Sequence, residues 1–480
     1  MFKRIAYNTA INFIAKIIAT ILGIATVAVM TRYLGAADFG YYTTIIAYVQ
    51  FFGILADFGL TLVTSQLLAR RSPAVLRDEG GLARTNTDEQ KTLNNLFTFR
   101  LVTALIFLGI APLTVLFFNY APEIKLGVTI ASLSFFFSAL CQIFIGLYQT
   151  KLLMVKASLG EVGGRIILTG AVIAVAAFNW GLFGMVVATV AGGLTQLLIN
   201  YLLALPIVRL RFAFDREIWR EIARLSWPLA CTIALNLIYL KADTIILSLV
   251  KSPAEVGLYG AAYRVIDILV TLPFILAGIA LPQITAAFSR HDNVNAHKII
   301  QHSFDTLSIF ALPLMIGTQF VATPLMVLVA GSEFASSGLI LQLLVFACGA
   351  IYLGTIFSHA IIAIAKQKKL IPAYAFVAVT SLIGYLIFIP RYSYFGAAAV
   401  TIYSEIMMSL LTFAIAFYYL KFAPNLKIFF KALAATAIMA LALYLIPLTL
   451  IPALAAGAIT YCLTLYLLVY NDFKKLDLNL

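Results

Sequence analysis

Long apolar stretches separated by short polar connections constrain this chain more than any other feature of its sequence. An apolar helix needs about 20 residues to cross the hydrocarbon of a bilayer, and about 14 stretches of this chain reach that length. Hydrophobic residues make up 62% of the chain and charged residues only 11%, against roughly 45–50% and about 25% in soluble proteins. We therefore predict an all-α polytopic membrane protein without a sizeable soluble domain.

The net charge of +13 is explained better by membrane topology than by a polyanionic partner. Lys and Arg are scattered between the apolar runs instead of forming one basic face, which argues against nucleic acid. Counted by alternate connections, roughly 25 lie on one side and 4 on the other, which places the basic side and both termini in the cytoplasm. The first run, Ile5–Met30, is too long for a cleaved signal peptide and is predicted to be the first span.

A short motif occurs twice. Ala37 to Tyr42 and Ala254 to Tyr259 share the pattern alanine, acid, apolar residue, glycine, any residue, tyrosine. Two weaker matches share the offset of about 210–217 residues: Lys156 with Lys366, and Phe183-Gly184 with Phe395-Gly396. Because each half contains an even number of spans, the pattern predicts two parallel six-helix repeats followed by two extra transmembrane helices.

The predicted domains follow from this duplication. They are an N-terminal six-helix lobe (1–208), a cytoplasmic amphipathic linker read as an interfacial helix (209–224), a C-terminal six-helix lobe (225–423), and two extra helices with a cytoplasmic tail (424–480).

Eight charged residues lie inside predicted spans, where each costs roughly 2.5–3.5 kcal/mol at mid-membrane. This cost predicts that they face a wet cavity. Structural explanations stay open: a private pair of Arg264 with Asp267, pairing of Lys241 and Asp243 with neighbours at the outer interface, and snorkelling of Lys16 and Arg100. The cations are Lys16, Arg100, Lys241 and Arg264, and the acids are Asp57, Asp243, Asp267 and Glu405.

Two candidate cations in each half indicate an anionic ligand held between the halves, since a guanidinium donates two hydrogen bonds to a phosphate at once. Pro273 and Pro313 are candidate bending points. The sequence contains no Walker loop, HExxH or GxSxG motif, and its histidines form no ligand set, so neither an enzyme nor a metal site is expected.

The stretch from Arg32 to Tyr42, followed by Asp57-Phe58-Gly59-Leu60, resembles the N-terminal signature of polysaccharide and oligosaccharide flippases (O-antigen translocase-like). These belong to the multidrug/oligosaccharidyl-lipid/polysaccharide (MOP) exporter superfamily. The signature positions are Arg32, Gly35, Phe39, Gly40 and Tyr42. The resemblance covers essentially the whole chain and implies MATE-like lobes.

The resemblance implies a function in cell-surface polysaccharide synthesis, such as that of the lipopolysaccharide O-antigen, in the bacterial inner membrane. The substrate would be undecaprenyl-pyrophosphate-linked oligosaccharide, moved from the cytoplasmic to the periplasmic leaflet by alternating access. Cavity cations would hold the pyrophosphate, and Arg264 matches an arginine that commonly lines that cavity in the eighth helix. Membrane lipids are expected partners, and a polymerase and other assembly proteins are conceivable ones. No cofactor is expected; coupling to H⁺ or Na⁺ is compatible with the resemblance but not required.

Two alternatives stay open. An ion-coupled multidrug exporter of the same architecture usually carries an acidic residue in its first helix, where this chain has Lys16. A membrane glycan polymerase usually needs a large outer loop or catalytic carboxylates outside the hydrocarbon, and the outer loops here are short.

Overall fold

A computed structural model describes residues 2–71, 87–151, 153–446 and 448–477, and this part of the chain contains helices and no strand. By their internal contacts the residues form two compact units, Met1–Gly257 and Leu258–Leu480. The prediction of an all-α polytopic membrane protein is confirmed.

The described residues of the first unit form seven helices, a 3₁₀ turn and the first turn of an eighth helix. They are α1 (Phe2–Asp57), α2 (Leu60–Arg71), α3 (Thr87–Thr114), η1 (Val115–Phe117), α4 (Pro122–Thr150), α5 (Met154–Phe178), α6 (Gly181–Ala204), α7 (Arg216–Val250) and the start of α8 (Pro253–Leu269). Helix α1 packs on α3, α4, α5 and α7, and a buried apolar cluster joins α2, α3, α4 and the start of α7. Thus α7, predicted to open the second lobe, is grouped with the first unit; the lobe boundaries stay predictions.

The second unit contains the rest of α8 and the helices that follow. They are α9 (Thr271–Ser289), α10 (Asn293–Ala330), η2 (Ser332–Phe334), α11 (Ser337–Ala363), η3 (Gln367–Leu370), α12 (Ile371–Leu420), α13 (Lys427–Leu445) and α14 (Leu450–Asp477). Helix α11 packs on α9, α10 and α12, and α13 packs on α10 and α14.

The number of spans agrees with the sequence prediction once two long helices are divided. In the described residues eleven helices are long and apolar enough to cross a membrane, and a bent pair within α7 makes twelve. Ile14–Asp57 and Gln367–Leu420 are 44 and 54 residues long, which is about twice the 20 residues that one crossing needs. Each contains a backbone break, at Gly35 and at Ser393. Counting each as two spans turns twelve into fourteen.

The repeated motif forms a helix crossing. Gly35 ends the first part of α1 with φ 67°, a conformation that glycine adopts without steric cost. One and a half turns later, Gly40 lies against the first turn of α8, where a Cβ on Gly40 would overlap the carbonyl of Pro253 and a Cβ on Gly257 would overlap that of Ala36. The two copies of the motif therefore supply the glycines of one close backbone contact.

The predicted amphipathic linker helix over 209–224 is wrong for its first seven residues. Residues 208–215 are not helical, and α7 begins only at Arg216. The reason is a polar stripe on α3 that binds the linker backbone at alternate residues, as extended chain requires. The bonds are Gln90 Nε2 to Arg209 O, Arg211 N to Asn94 Oδ1, Ala213 N to Thr98 Oγ1 and Asp215 N to Asn95 Oδ1.

Asp215 ends this extended segment and caps α7. Its Oδ1 accepts hydrogen bonds from Glu217 N and Ile218 N, and its Oδ2 lies 2.6 Å from Lys91 Nζ. The bond from Lys91, followed by the bond from Ile218 N, holds the pKa of Asp215 below its ordinary value of 3.8. A carboxyl group with a lowered folded-state pKa stabilises the fold above its unfolded pKa, and that stability is lost as pH falls through the folded pKa.

Asp215→Asn should therefore lower the thermal unfolding midpoint of the purified protein near neutral pH, because asparagine caps a helix about as well as aspartate but carries no charge for Lys91. The difference from wild type should shrink as pH falls below 3.8. Asp215→Ala, which removes cap and charge together, should stay destabilised at every pH. A constant gap between wild type and Asp215→Asn across that range would contradict the ion-pair account.

The break between α8 and α9 has a local chemical cause. Pro273 has no N–H and cannot bond the carbonyl of Leu269 four residues earlier. That carbonyl instead accepts a hydrogen bond of 2.8 Å from the hydroxyl of Tyr352 on α11. The helix is thus interrupted at Val270, close to the predicted bending point Pro273, whereas α10 runs through Pro313 without a break.

Tyr352→Phe should cost about 1–3 kcal/mol of stability, because it leaves the Leu269 carbonyl within a membrane span without its donor. In a Pro273→Ala background the same substitution should cost less, because an alanine at that position has the helical N–H that proline lacks. The measurement is a double-mutant cycle by thermal or denaturant unfolding in detergent. Equal costs in both backgrounds would show that the hydroxyl does not replace the helical bond.

Candidate functional site

Three kinds of environment occur among the predicted intramembrane charges: buried and paired, accessible and paired, and buried without a charged partner among the described residues. The class of each residue decides whether its polar atoms are available to a ligand. The first unit contains Lys16, Asp57, Arg100, Lys241 and Asp243, and the second contains Arg264, Asp267 and Glu405.

Arg100 is buried and paired. Its side chain on α3 is 1% exposed and forms an ion pair with Asp57, which lies at the end of α1. Arg100 Nη2 also donates to Thr61 Oγ1 at 3.0 Å, and Nη1 donates to the carbonyl of Ala139 at 3.2 Å. Arg100 therefore does not extend its charge to the membrane surface by snorkelling. Most of its N–H donors are already bonded to protein groups.

Asp57 is placed by a helix break. Phe58 and Gly59 have φ of 48° and 73°, which end α1 before α2 begins at Leu60. The Asp57 carboxylate accepts hydrogen bonds from Arg100 and from the Thr61 hydroxyl across this break. A positive side chain near the C-terminal end of a helix is electrostatically favourable, so the network stabilises the interruption.

Arg100→Met should destabilise the protein by about 3–5 kcal/mol, because the Asp57 charge then loses its main partner. The double variant Arg100→Met with Asp57→Asn should lose less than the sum of the two single variants. Arg264→Met is the matched control, and because its ion pair is exposed it should cost about 1 kcal/mol or less. Chemical unfolding in detergent measures all four; equal losses for Arg100→Met and Arg264→Met would contradict this distinction.

Lys16 has an exposed partner that the sequence reasoning did not assign to it. Lys16 Nζ on α1 lies 2.8 Å from Glu161 Oε1 on α5, and the two side chains are 48% and 33% exposed. A charged pair facing hydrocarbon would be costly, so this accessibility within two spans indicates a wet surface. Glu161 was missed because acids were sought at helical spacing within one span, and this pair joins two spans.

Compared with Lys16 and Arg100, Arg264 has more N–H donors that are not used in hydrogen bonds. It lies on α8, its side chain is 33% exposed, and its Nη1 is 3.9 Å from Asp267 Oδ2. That distance is an ion pair but not a hydrogen bond, and the guanidinium makes no hydrogen bond within the described part of the chain. Arg264 is therefore both accessible and unused as a donor.

The remaining predicted residues are more enclosed. Asp243 is fully buried on α7, and its Oδ1 accepts bonds from the backbone N–H and hydroxyl of Thr244 at 2.6 and 3.2 Å. Lys241 precedes it by two residues and is half-buried. Glu405 on α12 is 6% exposed. Within the described residues, no cluster of His, Cys, Asp and Glu side chains is arranged to hold a metal ion.

The signature positions have structural roles in the first unit. Gly35 makes the break in α1, Gly40 makes the close contact with α8, and Phe39 and Tyr42 are buried, with their rings stacked at 6.0 Å. Arg32 is exposed near the end of the first part of α1. These residues shape the helices and do not themselves form a binding site.

The apolar helices of the described residues define a polytopic all-α membrane protein with both buried and accessible charges inside its spans. A family model described as "Polysaccharide biosynthesis protein" matches residues 5–288, and the chain belongs to that family. No curated protein matches the sequence.

Solved structures share the fold at low sequence identity. The lipid II flippase MurJ in an inward closed conformation matches with a TM-score of 0.80 and 16% identity, covering 96% of this chain and 99% of that chain. An inward-facing multidrug resistance MATE family transporter of the MOP superfamily matches at 0.66 and 15%, covering 85% and 94%. A MOP superfamily transporter from Pyrococcus furiosus, described as having a binding pocket of reverse polarity, matches at 0.54 and 15%, covering 85% and 95%.

Proposed function

We propose that this protein is a flippase for undecaprenyl-pyrophosphate-linked oligosaccharide, acting by alternating access without chemical change of its substrate. The single observation that carries the proposal is the state of Arg264: partly exposed, within a span, and free of hydrogen bonds among the described residues. Membership in the polysaccharide biosynthesis family supports the substrate class.

The chemistry of Arg264 favours an anion with several oxygens. A guanidinium presents a planar fork of donors that matches phosphate oxygens in pairs. Asp267 is close enough to orient the fork but too distant to use its donors. The accessible Lys16 adds a second cation in the first unit, already balanced by Glu161. Such a set suits a pyrophosphate group better than a neutral sugar alone.

The membrane potential supports outward movement. With a negative cytoplasm, about 2.3 kcal/mol per charge per 100 mV favours moving a pyrophosphate from the cytoplasmic to the outer leaflet. We assign both termini to the cytoplasm from the Lys and Arg distribution, and the bacterial inner membrane from the family to which the chain belongs. The proposed partners are the lipid-linked oligosaccharide, membrane lipids, and a polymerase or assembly protein that takes up the product for O-antigen or similar glycan.

Arg264→Ala should lower the flipping rate at subsaturating substrate about tenfold or more, since a hydrogen bond to a charged group contributes roughly 1.5–3 kcal/mol. Arg264→Lys keeps the charge but not the fork and should be intermediate. The measurement is protection of a labelled undecaprenyl-pyrophosphate oligosaccharide from an impermeant glycosidase in proteoliposomes. Arg290→Ala, which removes a cation at the end of α9 and outside the hydrophobic stretch, is the control.

Two results would contradict the proposal. One is Arg264→Ala flipping at the rate of Arg290→Ala. The other comes from a competition assay, in which inorganic pyrophosphate should displace the substrate from wild type and a cationic dye should not. The opposite result would contradict the proposal. Displacement by the dye alone would favour the multidrug exporter, whose cationic cargo Arg264 would repel. Bond formation between glycan units by the purified protein would favour the polymerase.

A further inference from the structure

A shallow groove lies where the two ends of α12 come together in the second unit. Helix α12 is 50 residues long and is broken at Ser393, where φ is 52°, so its last turns return to the side from which its first turn started. The groove has a volume of about 290 Å³ and joins η3 to the end of α12. Its lining residues are Lys369, Ala414, Ile415, Tyr418 and Tyr419.

Three exposed lysines lie at this groove. Lys369 lines it, Lys366 Nζ is 5.9 Å from the centre of the Tyr419 ring, and Lys421 Nζ is 4.9 Å from the centre of the Tyr418 ring. Within the described residues, the three ammonium groups form no ion pair and no hydrogen bond. A ring face attracts a cation without neutralising it. The tyrosines therefore hold positive charge beside the groove and leave its N–H donors unused.

The surrounding sequence does not balance this charge. Between Glu333 and Asp472 the chain contains one acidic residue, Glu405. That residue is buried and precedes Lys421 by about four helical turns. Because an exposed charge at such a distance is largely screened by salt, the groove keeps a positive potential.

An exposed apolar stripe continues from the groove along α12. Ile406, Leu410 and Phe417 are exposed, and their spacings of four and seven residues place them on one face of the helix. Ala414, which lines the groove, falls on the same face. All four lie within the span Gln367–Leu420, so this face meets hydrocarbon. A soluble anion would use only the charged end of this surface, whereas a lipid would use both parts.

We propose that the groove binds the headgroup of an anionic phospholipid, with the acyl chains of that lipid along the apolar stripe of α12. A lysine offers a phosphate a compact charge, and a tyrosine suits a boundary between water and hydrocarbon because one end of its ring is polar. The leaflet is the cytoplasmic one, from the Lys and Arg distribution. The site does not involve Arg264, and the inference holds whether or not the protein is a flippase.

The test uses a local fluorescent reporter in the full chain. Phe417→Trp places an indole on the apolar stripe at an exposed position, and its signal is the fluorescence that it adds to that of the parent protein. The protein is reconstituted into vesicles in which either phosphatidylglycerol or phosphatidylcholine carries brominated acyl chains, which quench a neighbouring indole. The two quenching curves give the ratio of the binding constants of the two lipids at the reporter.

Phosphatidylglycerol should bind at the reporter about fivefold more tightly than phosphatidylcholine or better, since one lysine near an anionic lipid already contributes about that factor. Lys369→Gln combined with Lys421→Gln should bring the ratio to within about twofold of unity. Arg290→Gln combined with Lys298→Gln is the matched control, because it removes two exposed charges from the same unit and the same predicted side. This control should keep the preference.

Equal quenching by the two lipids in the reporter protein would overturn the proposal, and so would an equal loss of preference in the two double variants. If the groove variant does not fold, salt provides a second measurement. About 0.5 M NaCl should reduce the preference severalfold, because exposed lysines are screened, and should leave quenching by phosphatidylcholine unchanged. A preference that does not respond to salt would remove the lysines from the explanation.

Two competitors identify the source of the phosphate. Soluble glycerol phosphate at millimolar concentration should not relieve the quenching by brominated phosphatidylglycerol. Relief would assign the groove to a free phosphate compound and contradict the lipid. Undecaprenyl pyrophosphate at a small mole fraction should not relieve it either. Displacement by that lipid would make the groove part of the path of the proposed substrate, and a separate phospholipid site would be ruled out.

Discussion

Hydrocarbon offers no hydrogen-bond partner to a polar group, and the interruptions of these helices follow from that constraint. Where Pro273 leaves the Leu269 carbonyl without a helical donor, Tyr352 supplies a hydroxyl from α11. Where Phe58 and Gly59 end α1, Asp57 accepts bonds from Arg100 and Thr61. In each case the interruption is stabilised by a side chain from a neighbouring span. The breaks are therefore fixed parts of the tertiary structure, and their positions depend on residues distant in sequence.

The same constraint sorts the charges by what surrounds them. Arg100 is buried and uses both terminal nitrogens of its guanidinium in bonds to protein groups, which suits a structural role. Lys16 and Glu161 form a short pair on an accessible surface, and Arg264 keeps unused donors beside Asp267. Glu405 alone among the contacts described here combines burial with the lack of any ion pair or hydrogen bond. A charge inside a span thus carries different information according to its exposure and partners, which the sequence does not contain.

Sequence patterns predicted the features that depend on local composition. They failed where contacts with residues distant in sequence determine the local structure. The membrane-spanning helices of the described residues follow from apolar length, and the interruption near Pro273 follows from backbone chemistry. The linker was predicted as an amphipathic helix because its charged residues alternate with apolar ones. Residues 208–215 instead lie extended along α3. The sequence did contain a sign of this extended segment: the polar stripe at helical spacing on α3, formed by Gln90, Asn94, Asn95 and Thr98, which binds its backbone. Glu161 could not be matched to Lys16, because helical spacing says nothing about which spans are neighbours.

The loose pair of Arg264 and Asp267 fits a site that must bind and release. An exposed ion pair contributes about 0–1 kcal/mol, so a phosphate that takes the donors of Arg264 gives up little. Asp267, 43% exposed, can return to water without a large desolvation cost. A pair such as Arg100 with Asp57 would not exchange in this way, since separating buried partners costs about 3–5 kcal/mol. Weak internal pairing at Arg264 therefore lowers the cost of both substrate capture and substrate release, which alternating access requires in each cycle.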